Sequence, residues 1–326
     1  MTGRTDTFAF RVGQDDVERK QALARDALRG LTSDPKDLPP KWFYDERGSA
    51  LFEAITELPE YYPTRAEREI LAERASEIGA LAGADTLVEL GSGSAVKTRL
   101  LLDALVPTGT SAFVPFDVCE EAVVDSSSAI GAEYPGLAIE GVVGDFQAHL
   151  DLIPRRGRTL VAFLGGTIGN LVPAERALFL AGIRSILERG EFLLLGADLV
   201  KDRETLLRAY DDASGLTAEF NRNVLRVLNH ELDANFVPDQ FDHVAVWDEG
   251  REWIEMRLRS RTDQVVELRA VAQQISFRAG EEMRTEVSAK FRREVLVAEL
   301  ATAGFDVVTD WTDSRGRFSL WMARAS

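Results

Sequence analysis

Cysteine, histidine and long apolar runs are scarce in this sequence. The single cysteine, Cys119, excludes an internal disulfide, and His149, His230 and His243 stand apart without the spacing of metal ligands. We therefore expect no bound metal. No apolar run approaches the roughly 18 residues that a membrane-spanning helix needs, and the first residues lack the apolar core of a signal peptide. These features predict a cytoplasmic protein.

Positive charge is also in short supply. The 326 residues include 38 Lys and Arg against 54 Asp and Glu, a formal net charge of −16. Nucleic acids and anionic membranes bind clustered Lys and Arg, so we expect neither as a partner. A cationic or zwitterionic small molecule suits this charge, although an ordinary acidic surface also explains it. The 45% of hydrophobic residues can fill the core of one large or two moderate domains, and we expect a monomer.

Helix and strand patterns alternate through much of the chain. Apolar segments bounded by Gly, Pro or Asp, apolar on both faces, are typical of strands in a parallel sheet. An amphipathic helix at 292–304 and a final pair of strands at 305–311 and 317–323 close the pattern. We predict an α/β fold with a Rossmann-like, seven-stranded, mostly parallel sheet and a terminal antiparallel hairpin. Its five parallel strands are predicted at 86–90, 112–117, 138–143, 159–164 and 192–198.

Two further segments predict a second domain. Residues 12–64 contain helical patterns punctuated by prolines, after a short leader, and residues 201–289 combine a long helical stretch at 203–231 with alternating strands. We expect residues 65–200 and 290–326 to form the cofactor domain. Residues 12–64 and 201–289 then form an α+β substrate domain, with the active site between the two.

The segment 86–98 predicts where a ligand docks. Gly91 and Gly93 connect a strand to a helix, and such a turn exposes backbone N–H groups to a small charged ligand. A P-loop and a dinucleotide fingerprint both need glycine at position 96, which is Val96 here. The remaining pattern, with Glu89 in the strand, is that of S-adenosylmethionine enzymes. An ordinary glycine-rich turn is the alternative.

Acids at the ends of the next strands extend this site. Asp117 can accept both ribose hydroxyls, Asp145 can accept the adenine amino group, and Phe146 can lie beside the ring. Each acid could instead cap the following helix. Lys97 opposes the helix dipole and needs an anionic partner, for which the carboxylate of the cofactor is the natural candidate. A solvated surface lysine is the other interpretation.

Four clusters outside the predicted sheet contain four of the five tyrosines. They are residues 41–45, 58–64, 210–212 and 285–288. A buried tyrosine with a satisfied hydroxyl is the simpler interpretation of any single one. Glu286 and Ser288 are two residues apart, so in an extended strand they share a face and can hold one polar group together. An exposed strand edge is the alternative.

These clusters, with 88–98, 165–170, 197–202 and 281–291, resemble the histidine-specific, S-adenosylmethionine-dependent methyltransferases of ergothioneine biosynthesis over nearly the whole chain. The resemblance implies a class I methyltransferase fold and an L-histidine N-alpha-methyltransferase. Its reaction is the trimethylation of the α-amino group of L-histidine to hercynine, with S-adenosyl-L-methionine as co-substrate.

The resemblance also implies roles for individual residues. Tyr61, Asn170 and Tyr210 fix the backbone end of the amino acid, Glu286 and Ser288 hold the imidazole, and Tyr44 or Tyr61 relays a proton. The implied cofactor-binding residues are Tyr44, Gly91, Lys97, Asp117, Asp145 and Phe146. The implied substrate-binding residues are Tyr61, Gly165, Thr167, Asn170, Tyr210, Met256, Glu286 and Ser288.

Two other functions remain open from the residues. The first is the same chemistry on another amino acid or small amine, such as tryptophan, although the carboxylate of Glu286 suits an imidazole N–H better than an apolar ring. The second is an adenosine-binding sensor without catalysis, which has no need of Asn170, Tyr210 and Glu286 together.

Overall fold

The computed structural model describes residues 8–13, 15–93 and 95–326. The first seven residues, Gln14, and Ser94 of the glycine turn lie outside this description. The described chain forms two compact units. Unit 1 contains residues 8–13, Pro63–Leu199 and Phe291–Ser326, and unit 2 contains residues 15–62 and Val200–Lys290. Within the described ranges, no helix is both long enough and apolar enough to cross a membrane.

The elements are numbered in chain order. The strands are β1 (Phe8–Val12), β2 (Lys36–Asp37), β3 (Thr86–Leu90), β4 (Ala112–Asp117), β5 (Ala138–Val143), β6 (Thr159–Phe163), β7 (Phe192–Asp198), β8 (Phe241–Asp248), β9 (Trp253–Ser260), β10 (Gln264–Leu268), β11 (Gln273–Phe277), β12 (Glu282–Ala289), β13 (Phe305–Thr312) and β14 (Phe318–Ala325). The α-helices are α1 (Asp16–Leu31), α2 (Glu46–Thr56), α3 (Pro63–Ala82), α4 (Val96–Leu105), α5 (Glu120–Glu133), α6 (Pro173–Ile186), α7 (Arg203–Tyr210), α8 (Leu216–Leu232) and α9 (Arg293–Thr302).

Unit 1 is built on one eight-stranded sheet with strand order β1-β5-β4-β3-β6-β7-β14-β13. The first six strands run parallel, whereas β14 lies antiparallel to both β7 and β13. Every residue of β3 is buried, as expected of a parallel strand that is covered on both faces. The predicted α/β fold, with a mostly parallel sheet and a terminal antiparallel hairpin, is confirmed.

One strand of this sheet is absent from the sequence prediction. β1 adds an eighth strand at the edge, parallel to β5, where the sequence predicts only a leader before the first helix. The strand is five residues long, and residues 9–12 are all exposed, with Phe10 and Val12 among them. Arg11 forms an ion pair with Glu140 of β5 at 2.6 Å. Such a short, exposed segment lacks the apolar run that identifies the central strands.

The register of the central strands places their carboxyl ends at one edge. Leu90 of β3 pairs with Phe116 of β4 and with Phe163 of β6, and Asp117 pairs with Val143 of β5. The residues that follow these four strands therefore lie side by side. In open α/β sheets this edge is where ligands bind.

Unit 2 combines helices with antiparallel strands. Its four-stranded sheet has the order β2-β12-β9-β8, and β10 and β11 form a separate hairpin. Its core contains buried side chains from α1, α8 and both sheets, for example Leu23, Leu228, Phe241, Leu258 and Phe277. Strand β12 at the centre pairs with β9 and carries the candidate residues Glu286 and Ser288.

The predicted helical stretch at 203–231 is wrong in one respect, because it is two helices. α7 ends at Tyr210 and α8 begins at Leu216. The carboxylate of Asp212 accepts hydrogen bonds from the backbone N–H groups of Leu216 and Thr217, at 3.1 and 2.7 Å. Gly215, with φ of 78°, then starts α8. This break makes Tyr210 the last residue of a short helix.

Candidate active site

The turn between β3 and α4 adopts a backbone that favours glycine. Gly91 and Gly93 have φ of 74° and 47°, and Ala95 at the start of the helix has φ of 54°. The N–H of Gly91 donates to the carbonyl of Phe116 at 2.7 Å, which holds the turn against β4. A Cβ built on either glycine meets no atom of the described residues within 4 Å, apart from its chain neighbours. The space beside the turn is therefore open to a ligand.

Asp117 lies where β4 ends, beside this turn. Its carboxylate accepts from the N–H of Gly93 and of Cys119, both at 3.1 Å. Burial raises the pKa of Asp117, while these two N–H donors oppose the shift. Helix α5 begins at Glu120 with Cys119 as its N-cap, so Asp117 is not the helix cap that the sequence left open.

Asp145 and Phe146 follow β5. The Asp145 carboxylate accepts from the N–H of Gln147 at 2.9 Å, and the segment continues into turns and not into an α-helix. The cap interpretation therefore fails here as well. The Phe146 ring packs edge-on against Phe163 and Phe179, with centroids 5.2 and 5.3 Å apart. Its position next to the strand end is fixed by these two rings.

Glu89 is a buried acid in β3. It accepts a hydrogen bond from the hydroxyl of Thr98 in α4. Burial raises the pKa of Glu89 to about 7, although the Thr98 hydroxyl and the charge of Lys97 oppose the shift. The hydrogen bond joins the end of β3 to the first turn of α4, so it holds the glycine turn between them.

Lys97 has an anionic partner that the sequence did not predict. Its Nζ lies 2.5 Å from the carboxylate of Glu67, a fully buried residue of α3. Both carboxylate oxygens of Glu67 also accept from the N–H of Gly165, at 2.9 Å each. Glu67 thus connects the helix after β3 to the loop after β6. Thirty residues separate Glu67 from Lys97, and no local pattern links them.

The loop after β6 contains three of the predicted substrate residues. Gly165 and Gly166 have φ of 78° and 71°, and the Thr167 hydroxyl donates to the carbonyl of Leu164 at 3.0 Å. A short 3-10 turn then runs from Thr167 to Asn170. The side chain of Asn170 is half-buried and makes no hydrogen bond within the described ranges. Its amide therefore has donors and an acceptor to offer.

In unit 2, strand β12 brings the predicted imidazole residues together. Glu286 and Ser288 are both buried, and Glu286 pairs directly with Met256 of β9. Directly paired residues of antiparallel strands project to the same face, so Met256 lies beside Glu286. The register shifts between Arg284 and Glu286, which makes Thr285 a β-bulge. Bulges of this kind redirect side chains and recur next to active sites.

Among the described residues, Glu286 differs from the other buried acids in having no hydrogen-bond partner. Within the residues that the structure describes, no group donates to its carboxylate. Burial raises the pKa of Glu286 to about 8, and the charge of Lys290 only partly opposes the shift. A buried carboxyl without a partner is costly unless a ligand satisfies it.

Ser288 and Tyr210 form a second group on this face. Their hydroxyl oxygens are 2.7 Å apart, and Tyr210 belongs to α7, 78 positions earlier in the chain. The Nζ of Lys290 lies within hydrogen-bond distance of both hydroxyls. Lys290 is a residue that the sequence did not single out, although it continues the alternation of Glu286 and Ser288.

The predicted tyrosines of unit 2, Tyr44, Tyr61 and Tyr210, pack against other aromatic rings. Tyr44 meets Phe52 and Phe220 edge-on, with centroids 5.8 and 5.5 Å apart. Tyr61 meets Phe52 at 6.0 Å and Tyr210 at 6.3 Å, also edge-on. The structure therefore joins Tyr44, Tyr61 and Tyr210 through shared ring contacts, as one aromatic group.

A buried polar network supports this face from behind. Thr285 donates to the side-chain oxygen of Asn221 at 2.6 Å, and the Asn221 amide nitrogen lies 2.8 Å from Nδ1 of His243. Because the amide nitrogen only donates, Nδ1 accepts, and Nε2–H of His243 donates to the carbonyl of Tyr210 at 2.8 Å. Burial lowers the pKa of His243, in keeping with a neutral ring.

The predicted residues fall into two sets. Gly91, Lys97, Asp117, Asp145 and Phe146 lie in unit 1, with Gly165, Thr167 and Asn170. Tyr44, Tyr61, Tyr210, Met256, Glu286 and Ser288 lie in unit 2. Among the described residues, no group of three or more His, Cys, Asp or Glu side chains is arranged to hold a metal ion.

Unit 1 defines the class of protein. Its sheet has six parallel strands and a terminal antiparallel hairpin, with an open glycine turn after β3 and carboxylates at the ends of β4 and β5. These are the features of a class I methyltransferase.

Comparison with known proteins identifies the family. The model of the family "Histidine-specific methyltransferase, SAM-dependent" matches residues 23–325. A histidine N-alpha-methyltransferase of Mycolicibacterium smegmatis is 58% identical over 304 residues, which cover 93% of this chain and 95% of that protein. One from Mycobacterium tuberculosis is 54% identical, covering 93% and 94%. Ergothioneine biosynthesis protein 1 of Neurospora crassa is 29% identical over 85% of this chain and 32% of its own length. The chain belongs to the histidine-specific, S-adenosylmethionine-dependent methyltransferases.

Proposed function

We propose that the protein trimethylates the α-amino group of L-histidine with S-adenosylmethionine, giving hercynine, as a step of ergothioneine biosynthesis. The names of its relatives support this reaction. The observation that carries it is the buried carboxylate of Glu286, which has no hydrogen-bond partner within the described chain and lies beside Met256 on the face that presents Ser288.

An imidazole suits this face of β12. A ring N–H donated to Glu286 supplies the hydrogen bond that the buried carboxylate lacks, and Ser288 can contact the other ring nitrogen. Met256 provides an apolar surface for the flat of the ring. An indole has one N–H and no second nitrogen, so it leaves Ser288 without a partner. The pairing of Glu286 with Ser288 thus favours histidine over tryptophan.

The groups of unit 1 fit S-adenosylmethionine. The open space beside Gly91 and Gly93 admits a ligand to the backbone, and Asp117 and Asp145 offer acceptors for the ribose hydroxyls and the adenine amino group. Phe146 lies next to Asp145 for contact with the adenine. Lys97 is available to the carboxylate of the cofactor, in addition to its ion pair with Glu67. S-adenosylmethionine supplies an activated methyl group.

The task of the protein residues is to bind and align a neutral amine. Proximity is the main contribution, because the methyl donor is already reactive. We propose that Tyr61, Tyr210 and Asn170 fix the backbone end of histidine, Tyr61 and Asn170 by donating to its carboxylate and Tyr210 by accepting from its amine. We also propose that Tyr44 or Tyr61 passes the amine proton to water. The aromatic group of Tyr44, Tyr61 and Tyr210 tolerates the cation that grows with each methyl group.

Mass spectrometry of the products tests this function. The protein is incubated with S-adenosylmethionine and either L-histidine or L-tryptophan, and with histidine but no methyl donor as a control. We expect a gain of three methyl groups on histidine alone. Methylation of tryptophan in preference to histidine points to the alternative substrate, and binding of the cofactor without any product points to a sensor. Either result contradicts the proposal.

A further inference from the structure

Lys290 is a buried ammonium group to which the proposed mechanism gives no task. Only 4% of the residue is exposed. Its Nζ lies 2.7 Å from Oγ of Ser288, 2.8 Å from the hydroxyl of Tyr210 and 4.6 Å from the centre of the Tyr210 ring. Lys290 follows β12 directly, two residues after Ser288. It therefore contacts two residues of the proposed histidine site at once.

The contacts of Lys290 fix the roles of the two hydroxyls. An ammonium can only donate, so the oxygens of Ser288 and Tyr210 both accept from Nζ. These oxygens are also 2.7 Å apart, and one of them must donate to the other. A phenol is more acidic than an alcohol, and a cation at its oxygen makes it a still better donor. Tyr210 therefore donates to Ser288.

Ser288 is left with one way to meet a ligand. Its oxygen accepts from Lys290 and from Tyr210, which uses both lone pairs, and its own hydrogen remains. Glu286, two residues earlier on the same face, offers a carboxyl oxygen as an acceptor, and a ring N–H donated to it favours its ionised form. This face of β12 thus presents one donor, Ser288, and one acceptor, Glu286. Lys290 prevents the Ser288 hydroxyl from rotating to present its oxygen to a ligand as an acceptor.

We propose that Lys290 is a positioning residue that sets substrate specificity. It holds the Ser288 hydroxyl as a donor beside the acceptor Glu286. The site therefore selects a ring with one bare nitrogen, that is, one without a hydrogen, and one N–H. Neutral imidazole has this pattern. Imidazolium has two N–H groups, so one of them faces the Ser288 hydrogen, donor against donor. Pyrrole and indole lack the bare nitrogen that accepts from Ser288. The inference rests on the proposed function, since it places the histidine ring against Glu286 and Ser288.

Calorimetric titration with two ligands tests this role. Histidine is compared with pyrrol-2-ylalanine, which keeps an N–H but lacks the bare nitrogen. We expect the wild type to favour histidine by at least about tenfold, because the analogue leaves the Ser288 donor unpaired. Lys290→Met should lower this ratio to about threefold or less, since Ser288 can then rotate to accept. Lys290→Arg, which retains the donors, should restore most of the ratio. Lys20→Met removes an exposed lysine of α1 and serves as the matched control.

A purely structural role predicts a different result. In that case Lys290→Met weakens both ligands equally and leaves the ratio at its wild-type value, which overturns the proposal. If Lys290→Met does not fold, nitrogen NMR of ring-labelled histidine bound to the wild type decides. A ring with one protonated and one bare nitrogen supports the proposal, and a doubly protonated ring overturns it. A wild type that does not methylate histidine overturns the proposed function itself, whereas an active wild type with an unchanged ratio in Lys290→Met overturns only the role of Lys290.

Discussion

Replacing Glu67 by glutamine removes one charge from the interior of unit 1 while keeping the shape of the side chain. Glu67 is fully buried, and its carboxylate holds Lys97 at 2.5 Å and the N–H of Gly165 at 2.9 Å from each oxygen. A glutamine can keep one acceptor for Gly165. Its amide nitrogen, however, faces either Lys97 or Gly165, both of which are donors.

The size of the effect follows from these contacts. A hydrogen bond to a charged group is worth about 1.5–3 kcal/mol, and Glu67→Gln weakens two of them. Part of the loss is recovered, because an amide is cheaper to bury than a carboxylate and because Lys97, 22% exposed, can turn toward water. We expect a net loss of about 2 kcal/mol in the free energy of unfolding. For a chain of 326 residues the midpoint of thermal unfolding then falls by about 3 °C.

Differential scanning calorimetry and urea denaturation measure this loss. The matched control is Glu73→Gln, which changes an exposed glutamate of the same helix and should stay within about 0.5 kcal/mol of the wild type. If Glu67→Gln is as stable as Glu73→Gln, the buried carboxylate does not hold α4 and the loop after β6 together, and the description of this cluster is wrong.

Three further predictions concern single residues. Asp117→Asn should weaken binding of S-adenosylhomocysteine by at least about tenfold in calorimetry, because a carboxylate that accepts two hydroxyls is lost; a change below twofold contradicts its role. Burial raises the pKa of Glu286 from 4.5 to about 8, so the folded protein keeps this proton to higher pH than the unfolded chain and loses stability as pH rises from about 5 to 9. Glu286→Gln should therefore gain about 4 kcal/mol relative to the wild type between pH 5 and pH 9 in urea denaturation, and a constant difference refutes the shift. Gly196→Ala should lower the free energy of unfolding by about 3 kcal/mol, because its Cβ would lie 2.1 Å from a carboxylate oxygen of Glu67. Gly91→Ala meets open space and should lower it by only about 1–2 kcal/mol, through the strain of its positive φ. The reverse order in urea denaturation contradicts this view of the two glycines.

The central strands were predictable because burial leaves a strong local pattern. β3, β4, β5 and β7 have the predicted bounds, and each is an apolar segment between turn residues. The edge strand β1 lacks this pattern, since residues 9–12 are all exposed. The break after Tyr210 was visible in principle, because Asp212 and Gly215 are typical helix-breaking and helix-starting residues, but the helical period continues on both sides of it.

The placement of the candidate residues was predictable where they are close in sequence. Alternation along a strand places Glu286 and Ser288 on one face, and residues at strand ends meet at one edge of a parallel sheet. Contacts between distant segments have no such signal. Glu67 with Lys97 and Lys290 with Tyr210 are separated by 30 and 80 positions. The bulge at Thr285 depends on pairing with β9, which the sequence of β12 alone does not contain.

The most direct test of the account is the effect of Glu286→Ala on the two ligands separately. Calorimetric titration measures the affinities for L-histidine and for S-adenosylhomocysteine, with Glu282→Ala on the same strand as the control. If Glu286 binds the imidazole, histidine affinity falls by at least about tenfold in Glu286→Ala, while the affinity for S-adenosylhomocysteine stays within about twofold. An equal loss of both affinities, or an unchanged affinity for histidine, contradicts the assignment of Glu286 to the substrate ring.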